Sequence, residues 1–177
     1  MSSKPAKIIG ILSIVAGLVM IVAGIVTWNI VTSQLKDERI TVPADADKVM
    51  GVTVAGKKVE GPLTAFGQAE IIKKHALKSS EGKTYAEIGV DQTKARADLE
   101  KATSDSEKAA AQAALDKATQ SRTTVMNAAF LRSSLFSSVI TYGIAALVVG
   151  LGLMFALLGW ALTTLKPAVT ATTVRND

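Results

Sequence analysis

Residues 8–31 read IIGILSIVAGLVMIVAGIVTWNIV, a run of 24 residues without a charged side chain. A second run of 33 uncharged residues extends from Ser133 to Leu165. Each run exceeds the roughly 20 apolar residues that an α-helix needs to cross about 30 Å of hydrocarbon. Most of the charged residues lie between the two runs. The sequence therefore predicts a mainly α membrane protein in which two transmembrane helices flank one extramembrane segment.

The net charge of +5 comes mainly from the ends of the chain. Residues 32–132 contain 16 Lys and Arg against 14 Asp and Glu, so this middle segment is almost neutral. The high isoelectric point consequently does not indicate a nucleic-acid-binding surface, and no nucleic-acid partner is predicted. The expected surroundings are the lipid bilayer and other integral membrane subunits.

Basic residues in the short flanks predict the orientation. Lys4 and Lys7 precede the first apolar run and Lys166 follows the second, and an excess of Lys and Arg in short flanks marks the cytoplasmic side. We therefore expect a two-pass protein of the plasma membrane with both termini in the cytoplasm. The first run is longer than the roughly 7–15 apolar residues of a signal peptide, which favours an uncleaved anchor.

The segment between the apolar runs divides by composition. Three short stretches, residues 39–43, 51–54 and 57–60, are rich in β-branched residues and predict a minimal sheet. Pro62 is suited to the first position of a helix that ends near Ser79. The predicted boundaries are a cytoplasmic tail at 1–7, a transmembrane helix at 8–31, a small extracytoplasmic (periplasmic) α+β domain at 32–90, an Ala/Lys/Glu-rich helical insertion at 91–122, an extramembrane extension of helix 2 at 123–139, a transmembrane helix at 140–165 and a cytoplasmic tail at 166–177.

The insertion contains an internal repeat. The sequence LEKAT at residues 99–103 recurs as LDKAT at 115–119. On one helix this shift of sixteen residues rotates the two leucines by about 160°, whereas two antiparallel helices let both face inward. Ser104 and Glu107 have the spacing of a capping box, so an Ala-rich helical hairpin, resembling a short coiled coil, is favoured over one long charged helix.

Small residues recur along both apolar runs at spacings that keep them on one helix face. Such faces let helices approach closely in lipid, either within this chain or between this chain and a partner. The predicted helix-packing interface consists of Gly10, Ser13, Gly17, Gly24, Gly143, Ala146 and Gly150. Trp28, Tyr142 and Trp160 lie near the ends of the predicted transmembrane helices at 8–31 and 140–165, and they are predicted anchors at the membrane interface.

The sequence offers little catalytic chemistry. His75 is the only histidine, there is no cysteine, and neither apolar run contains an ionisable side chain. His75 lacks the further His or Cys ligands that zinc and iron sites use, and the acidic pair Asp45 and Asp47 has basic neighbours typical of solvated surface. We therefore expect no enzyme activity, no catalytic or metal-binding residue and no cofactor.

Two blocks of sequence resemble a family of actinobacterial two-pass membrane proteins. They are VEGPLTAFGQA at residues 59–69, continued by HAL at 75–77 and GKTYAE at 82–87, and VMNAAFLRSSLF at 125–136. Members are often labelled aromatic ring-opening dioxygenase. That label implies an iron site with two histidines and a carboxylate, which one histidine cannot supply, so the resemblance implies topology and an actinobacterial plasma membrane but no active site.

The predicted function is a non-catalytic accessory or scaffold subunit of a larger plasma-membrane complex, with a complex of the respiratory chain as one possible host. The alternative is a membrane-anchored sensor, or a ligand-binding module, with an external helical domain. A third hypothesis is an enzyme that uses His75. The twelve residues after Leu165 are too few for a signalling output domain, which counts against the sensor.

Overall fold

A computed structural model describes residues 4–165, and these residues form four helices. The helices are α1 (Lys4–Asp37), α2 (Pro62–Ser79), α3 (Tyr85–Lys101) and α4 (Asp105–Thr164). Two compact units divide the described chain. The helix pair consists of residues up to Val31 and from Thr141 onward, and the helical unit consists of Thr32–Ile140.

The helix pair contains the two apolar runs. Both α1 and α4 are long and apolar enough to cross a membrane. The predicted tail at 1–7 is not a separate segment over its described residues, because α1 already begins at Lys4. The second predicted tail, 166–177, lies outside the described residues. The ranges 123–139 and 140–165 belong to α4 up to Thr164.

The predicted small α+β domain is wrong. Residues 4–165 contain no strand, and the three stretches predicted as strands form only two isolated bridges, Thr41 with Lys58 and Val49 with Val52. The segment from 38 to 61, here called the valine loop, is instead anchored by side chains. Its four buried members are Val42, Val49, Val54 and Val59. The β-branched residues therefore serve as buried contacts of an irregular loop. Backbone hydrogen bonds run from the Val42 amide to the Lys57 carbonyl and from the Val59 amide to the Ile40 carbonyl, but they do not continue into a ladder.

Gly67 lets the valine loop pack against α2. A Cβ atom at this position would lie 2.7 Å from Val54 Cγ2 and 3.3 Å from Val49 Cγ2. Pro62 opens α2, and the Thr64 hydroxyl oxygen accepts a hydrogen bond from the Gly61 amide at 3.2 Å. After the helix ends, the Gly82 amide donates to the Leu77 carbonyl. Predicted and observed limits of α2 agree.

A helical hairpin follows. α3 ends at Lys101 and α4 begins at Asp105, so the break falls in the segment where Ser104 and Glu107 have capping-box spacing. Two side-chain hydrogen bonds cross the hairpin. The Gln92 side-chain amide donates to the Thr119 hydroxyl oxygen, and the Arg122 guanidinium donates to the side-chain oxygen of Gln92. The second arm does not stop at 122, because α4 continues as one helix of 60 residues.

Candidate functional site

The helix pair is held by a series of glycines at which the two backbones approach closely. A Cβ atom at Gly17 would lie 2.5 Å from the Gly152 carbonyl oxygen and 2.8 Å from the Ala156 amide nitrogen. A Cβ atom at Gly10 would lie 2.6 Å from the Gly159 carbonyl oxygen. These distances are shorter than any real Cβ contact, so a side chain at either position forces the helices apart.

The contacts follow an antiparallel register with a period of seven residues. Gly10 faces Gly159, Gly17 faces Gly152, and Gly24 faces Ala145 together with Val149. We call the six residues 10, 17, 24, 145, 152 and 159 the glycine seam. The contacts are reciprocal at Gly17 and Gly152, since a Cβ atom on Gly152 would lie 2.6 Å from the Gly17 carbonyl oxygen. Close Cα–H to carbonyl approaches of this kind recur between helices.

Ser13 adds a polar contact beside the seam. Its hydroxyl donates a hydrogen bond of 2.9 Å to the Phe155 carbonyl oxygen on the other helix. Such interhelical hydrogen bonds contribute about 0.6 kcal/mol on average between membrane helices. Of the predicted interface, the structure therefore brings Gly10, Ser13, Gly17 and Gly24 together against α4.

The residues predicted on the second run lie elsewhere on α4. A Cβ atom at Gly143 or Gly150 would meet nothing within 4 Å, and Ala146 is exposed. The small α4 residues that meet the glycines of α1 are Ala145, Gly152, Ala156 and Gly159. A signal for them was present, because residues 145, 152 and 159 are small and spaced by seven, matching the three glycines of α1.

The three predicted anchors have different surroundings. The ring of Tyr142 is buried and packs edge-on against Trp28, with 4.6 Å between ring centroids. Trp28 remains partly exposed, and 64% of the Trp160 surface is exposed. Tyr142 thus contributes to helix packing, while the two tryptophans keep ring surface available to their surroundings.

Large apolar side chains cover the outward faces of the helix pair. In the most apolar 18-residue stretch of each helix, only 17% is buried. Side chains more than half exposed include Leu12, Val19, Val22, Leu147 and Leu157. A core helix of a water-soluble protein would have most of this surface covered.

Two arginines connect the helices of the helical unit. The Arg122 guanidinium lies over the Tyr85 ring, 4.3 Å from its centroid. The Arg132 Nε donates to the Ala69 carbonyl oxygen at 3.2 Å, and its guanidinium lies 3.7 Å from the Glu70 carboxylate. These contacts attach α3 and α2 to α4.

His75, the single histidine, is paired with Asp45 of the valine loop. The distance between His75 Nε2 and Asp45 Oδ2 is 2.8 Å, and both side chains are about half exposed. The hydrogen bond from His75 lowers the pKa of Asp45 below its ordinary value. Lys74 lies 3.5 Å from Asp47 in the same place. This arrangement ties the loop to α2.

His75 also lies at the edge of an open cleft. A cleft of about 440 Å³ beside His75 is lined by residues of α2 and α4 and is open to solvent. Within residues 4–165, no group of three His, Cys, Asp or Glu side chains is placed to hold a metal ion.

Comparisons with known proteins give no relative for this chain: no protein-family model, no curated protein and no solved structure matches it.

Proposed function

We propose that this chain is a non-catalytic accessory or scaffold subunit of a larger complex in the plasma membrane. The observation that carries the proposal is the contrast between two sets of small residues. The glycines of α1 are used inside the chain, in the glycine seam. Gly143, Ala146 and Gly150 stay on an exposed face of α4, where the backbone of a partner helix can approach.

Membrane insertion is supported by the apolar outward faces of the helix pair. Leu12, Leu147 and Leu157 are between 61% and 65% exposed, and hydrocarbon solvates such side chains at no cost whereas water does not. Both helices also satisfy their backbone groups internally, as a spanning segment must.

In the proposed topology, both termini face the cytoplasm and the helical unit lies outside. Lys4 and Lys7 flank the first apolar run, and positively charged short flanks are retained on the cytoplasmic side. The segment between the runs is long enough to be translocated irrespective of its charge. The partners are then other integral membrane subunits. A respiratory complex is the proposed host, because peripheral subunits of such complexes often have this two-pass form. The actinobacterial plasma membrane is proposed on the sequence resemblance alone.

Copurification tests the proposal. The full chain, tagged after Asp177, is extracted from its native membrane in mild detergent, and stoichiometric integral membrane proteins are expected to accompany it. Gly150→Leu should reduce their recovery several-fold, because packing contacts in lipid are worth about 1–2 kcal/mol at most. Ala16→Leu is the matched control, since Ala16 is exposed on α1 and does not belong to the α4 face that carries Gly150.

Three results would contradict the accessory-subunit proposal. Recovery of the chain alone would favour an independent ligand-binding module. Recovery with a signalling kinase as the single partner would favour a sensor. Equal loss of partners in the Gly150→Leu and Ala16→Leu variants would show that the exposed small residues of α4 do not form the interface.

A further inference from the structure

A cleft with basic walls opens in the helical unit at the point where α1 ends. Its volume is about 380 Å³. Lys36, Arg39 and Lys58 supply positive charge to its walls, and Glu60 supplies the one carboxylate. The remaining walls are apolar. Nothing in the scaffold role proposed above requires cations and apolar side chains to converge here.

The charges in this cleft are only partly neutralised. Lys36 lies 3.8 Å from Glu60. Arg39 and Lys58 form no hydrogen bond or ion pair through their side chains with any residue in the described range 4–165. Among the side chains that line the cleft, three cations against one carboxylate leave a charge of +2, which outweighs the partial negative charge at the carbonyl end of α1. Asp37 and Glu38, which lie between Lys36 and Arg39 in the chain, do not line it. The cleft is therefore suited to an anion.

The backbone at Arg39 favours a different residue type. Its φ angle is +53°, in the left-handed region where glycine is the usual residue after a helix. The Arg39 amide donates to the Lys36 carbonyl at 3.0 Å and closes the turn that follows α1. Glycine would satisfy this turn without strain, so the turn alone does not account for the guanidinium at the cleft.

The position of the cleft along α1 matches the headgroup region of a bilayer. Lys36 follows Val31, the last residue of the apolar run, by five residues of the same helix, which is about 7.5 Å of rise. Headgroup layers occupy roughly 5–8 Å on each side of the hydrocarbon. Leu35, Ile40 and Val59 give the same cleft an apolar wall, which suits a ligand with both a phosphate and a glyceryl or acyl part.

We propose that this cleft binds the phosphate of an anionic phospholipid headgroup, with Arg39 and Lys58 as its principal ligands and Lys36 as the third cation. Arginine binds phosphate through paired N–H groups and lysine binds it as a point charge. The proposal rests on the membrane insertion proposed above, and it adds a lipid class that the scaffold role does not specify.

Lipid binding by the purified full chain tests this site. Native mass spectrometry from mild detergent measures the affinity for phosphatidylglycerol and for phosphatidylcholine. The wild-type chain should prefer phosphatidylglycerol. The double variant Arg39→Gln/Lys58→Gln should bind it more weakly by up to about 25-fold, since each of the two basic residues contributes roughly a factor of five at an anionic surface before screening by salt. The matched control, Lys94→Gln/Arg96→Gln, removes two exposed cations of α3 and should bind like the wild type.

The remaining arms separate the sources of the signal. Inorganic phosphate in excess should leave the bound lipid in place; displacement by phosphate alone would overturn the lipid assignment in favour of a soluble anion. Equal weakening in both double variants would show attraction by net charge and overturn the site. Carbonate extraction of wild-type membranes is run in parallel, because release of the chain would contradict membrane insertion itself, whereas retention with no lipid preference contradicts the cleft alone.

Discussion

At the scale of single residues, the absence of a side chain at Gly17 sets how closely α1 and α4 pack. We predict that Gly17→Leu destabilises the helix pair by about 1–3 kcal/mol, the usual cost of overpacking a close contact. The physical reason is the 2.5 Å separation between a Cβ at this position and the Gly152 carbonyl oxygen. Thermal unfolding of the purified chain in detergent measures the effect.

Gly150→Leu is the internal control for that experiment. A Cβ atom at Gly150 meets nothing within 4 Å, so the chain alone should melt at nearly the wild-type temperature. Equal destabilisation by the two variants would contradict the register of the glycine seam. Unchanged melting of Gly17→Leu would contradict the close approach of the backbones.

The glycines of α1 were predictable from the sequence, whereas their partners on α4 were harder to choose. Two series of small residues spaced by seven compete in the second run, 143 and 150 against 145, 152 and 159. The two series lie about 160° apart around the helix, because they are offset by two positions in the sequence. Only the series at 145, 152 and 159 offers three small residues to match Gly10, Gly17 and Gly24. The number of small residues therefore identifies this series as the partner of α1.

At the scale of elements, the start of α4 is fixed by Glu107. Its carboxylate accepts hydrogen bonds of 3.0 Å from the Thr103 and Ser104 amides, and the Glu107 amide donates to the Ser104 hydroxyl at 3.2 Å. The backbone donor at Ser104, followed by that at Thr103, lowers the pKa of Glu107 from 4.5 to about 2.

This shift predicts an acid-sensitive hairpin turn. A depressed carboxyl pKa means that the capping contribution is complete above 4.5 and is lost as the pH falls through about 2. Amide exchange at residues 103–107 should therefore quicken, relative to the intrinsic rate, between about pH 4 and pH 2. The ¹³C shift of the Glu107 carboxyl group, followed by NMR, gives the titration directly.

Glu100→Ala and Glu107→Ala form the matched pair for the turn. Glu100 is exposed near the end of α3, and its loss should leave exchange at 103–107 unchanged. Loss of Glu107 should abolish the acid-dependent step and leave the turn open at neutral pH. An ordinary pKa for Glu107 in the wild type would contradict the capping box.

The valine loop shows where sequence patterns stop predicting elements. Spacing alone indicated the break before α4, because capping depends on residues three apart in the chain. Whether Val49 and Val54 join a sheet or face α2 depends on Gly67, which lies more than ten residues away and admits their methyl groups. Alternation of β-branched residues predicts which face of a segment is buried. It does not predict which element of the structure packs against that face.

At the scale of the whole molecule, the proposed topology makes a prediction for reporters. A reporter fused after Asp177 should be active only in the cytoplasm, and one inserted at Ser104, between α3 and α4, only outside. The reason is the basic flank at Lys4 and Lys7. Activity of the Ser104 insertion in the cytoplasm would invert the topology and place the basic cleft on the inner surface.

Two apolar helices and the helical hairpin were within reach of the sequence because both depend on patterns local to a segment. The basic cleft was not. Arg39 and Lys58 are nineteen residues apart, and they line the same cleft because the valine loop returns to the end of α1, where the Val59 amide donates to the Ile40 carbonyl.

The seven-residue repeat of the glycine seam leaves the helix pair nearly periodic along its own axis. Sliding α1 by one heptad, about 10.5 Å, would still match two of the three glycine contacts, since Gly10 would meet Gly152 and Gly17 would meet Ala145. The hydrogen bond of Ser13 does not distinguish the two registers either, because every residue of α4 offers a backbone carbonyl oxygen as acceptor. The edge-on contact of Trp28 with Tyr142 has no counterpart one heptad away. This aromatic pair therefore selects one register among those that the glycines alone would allow.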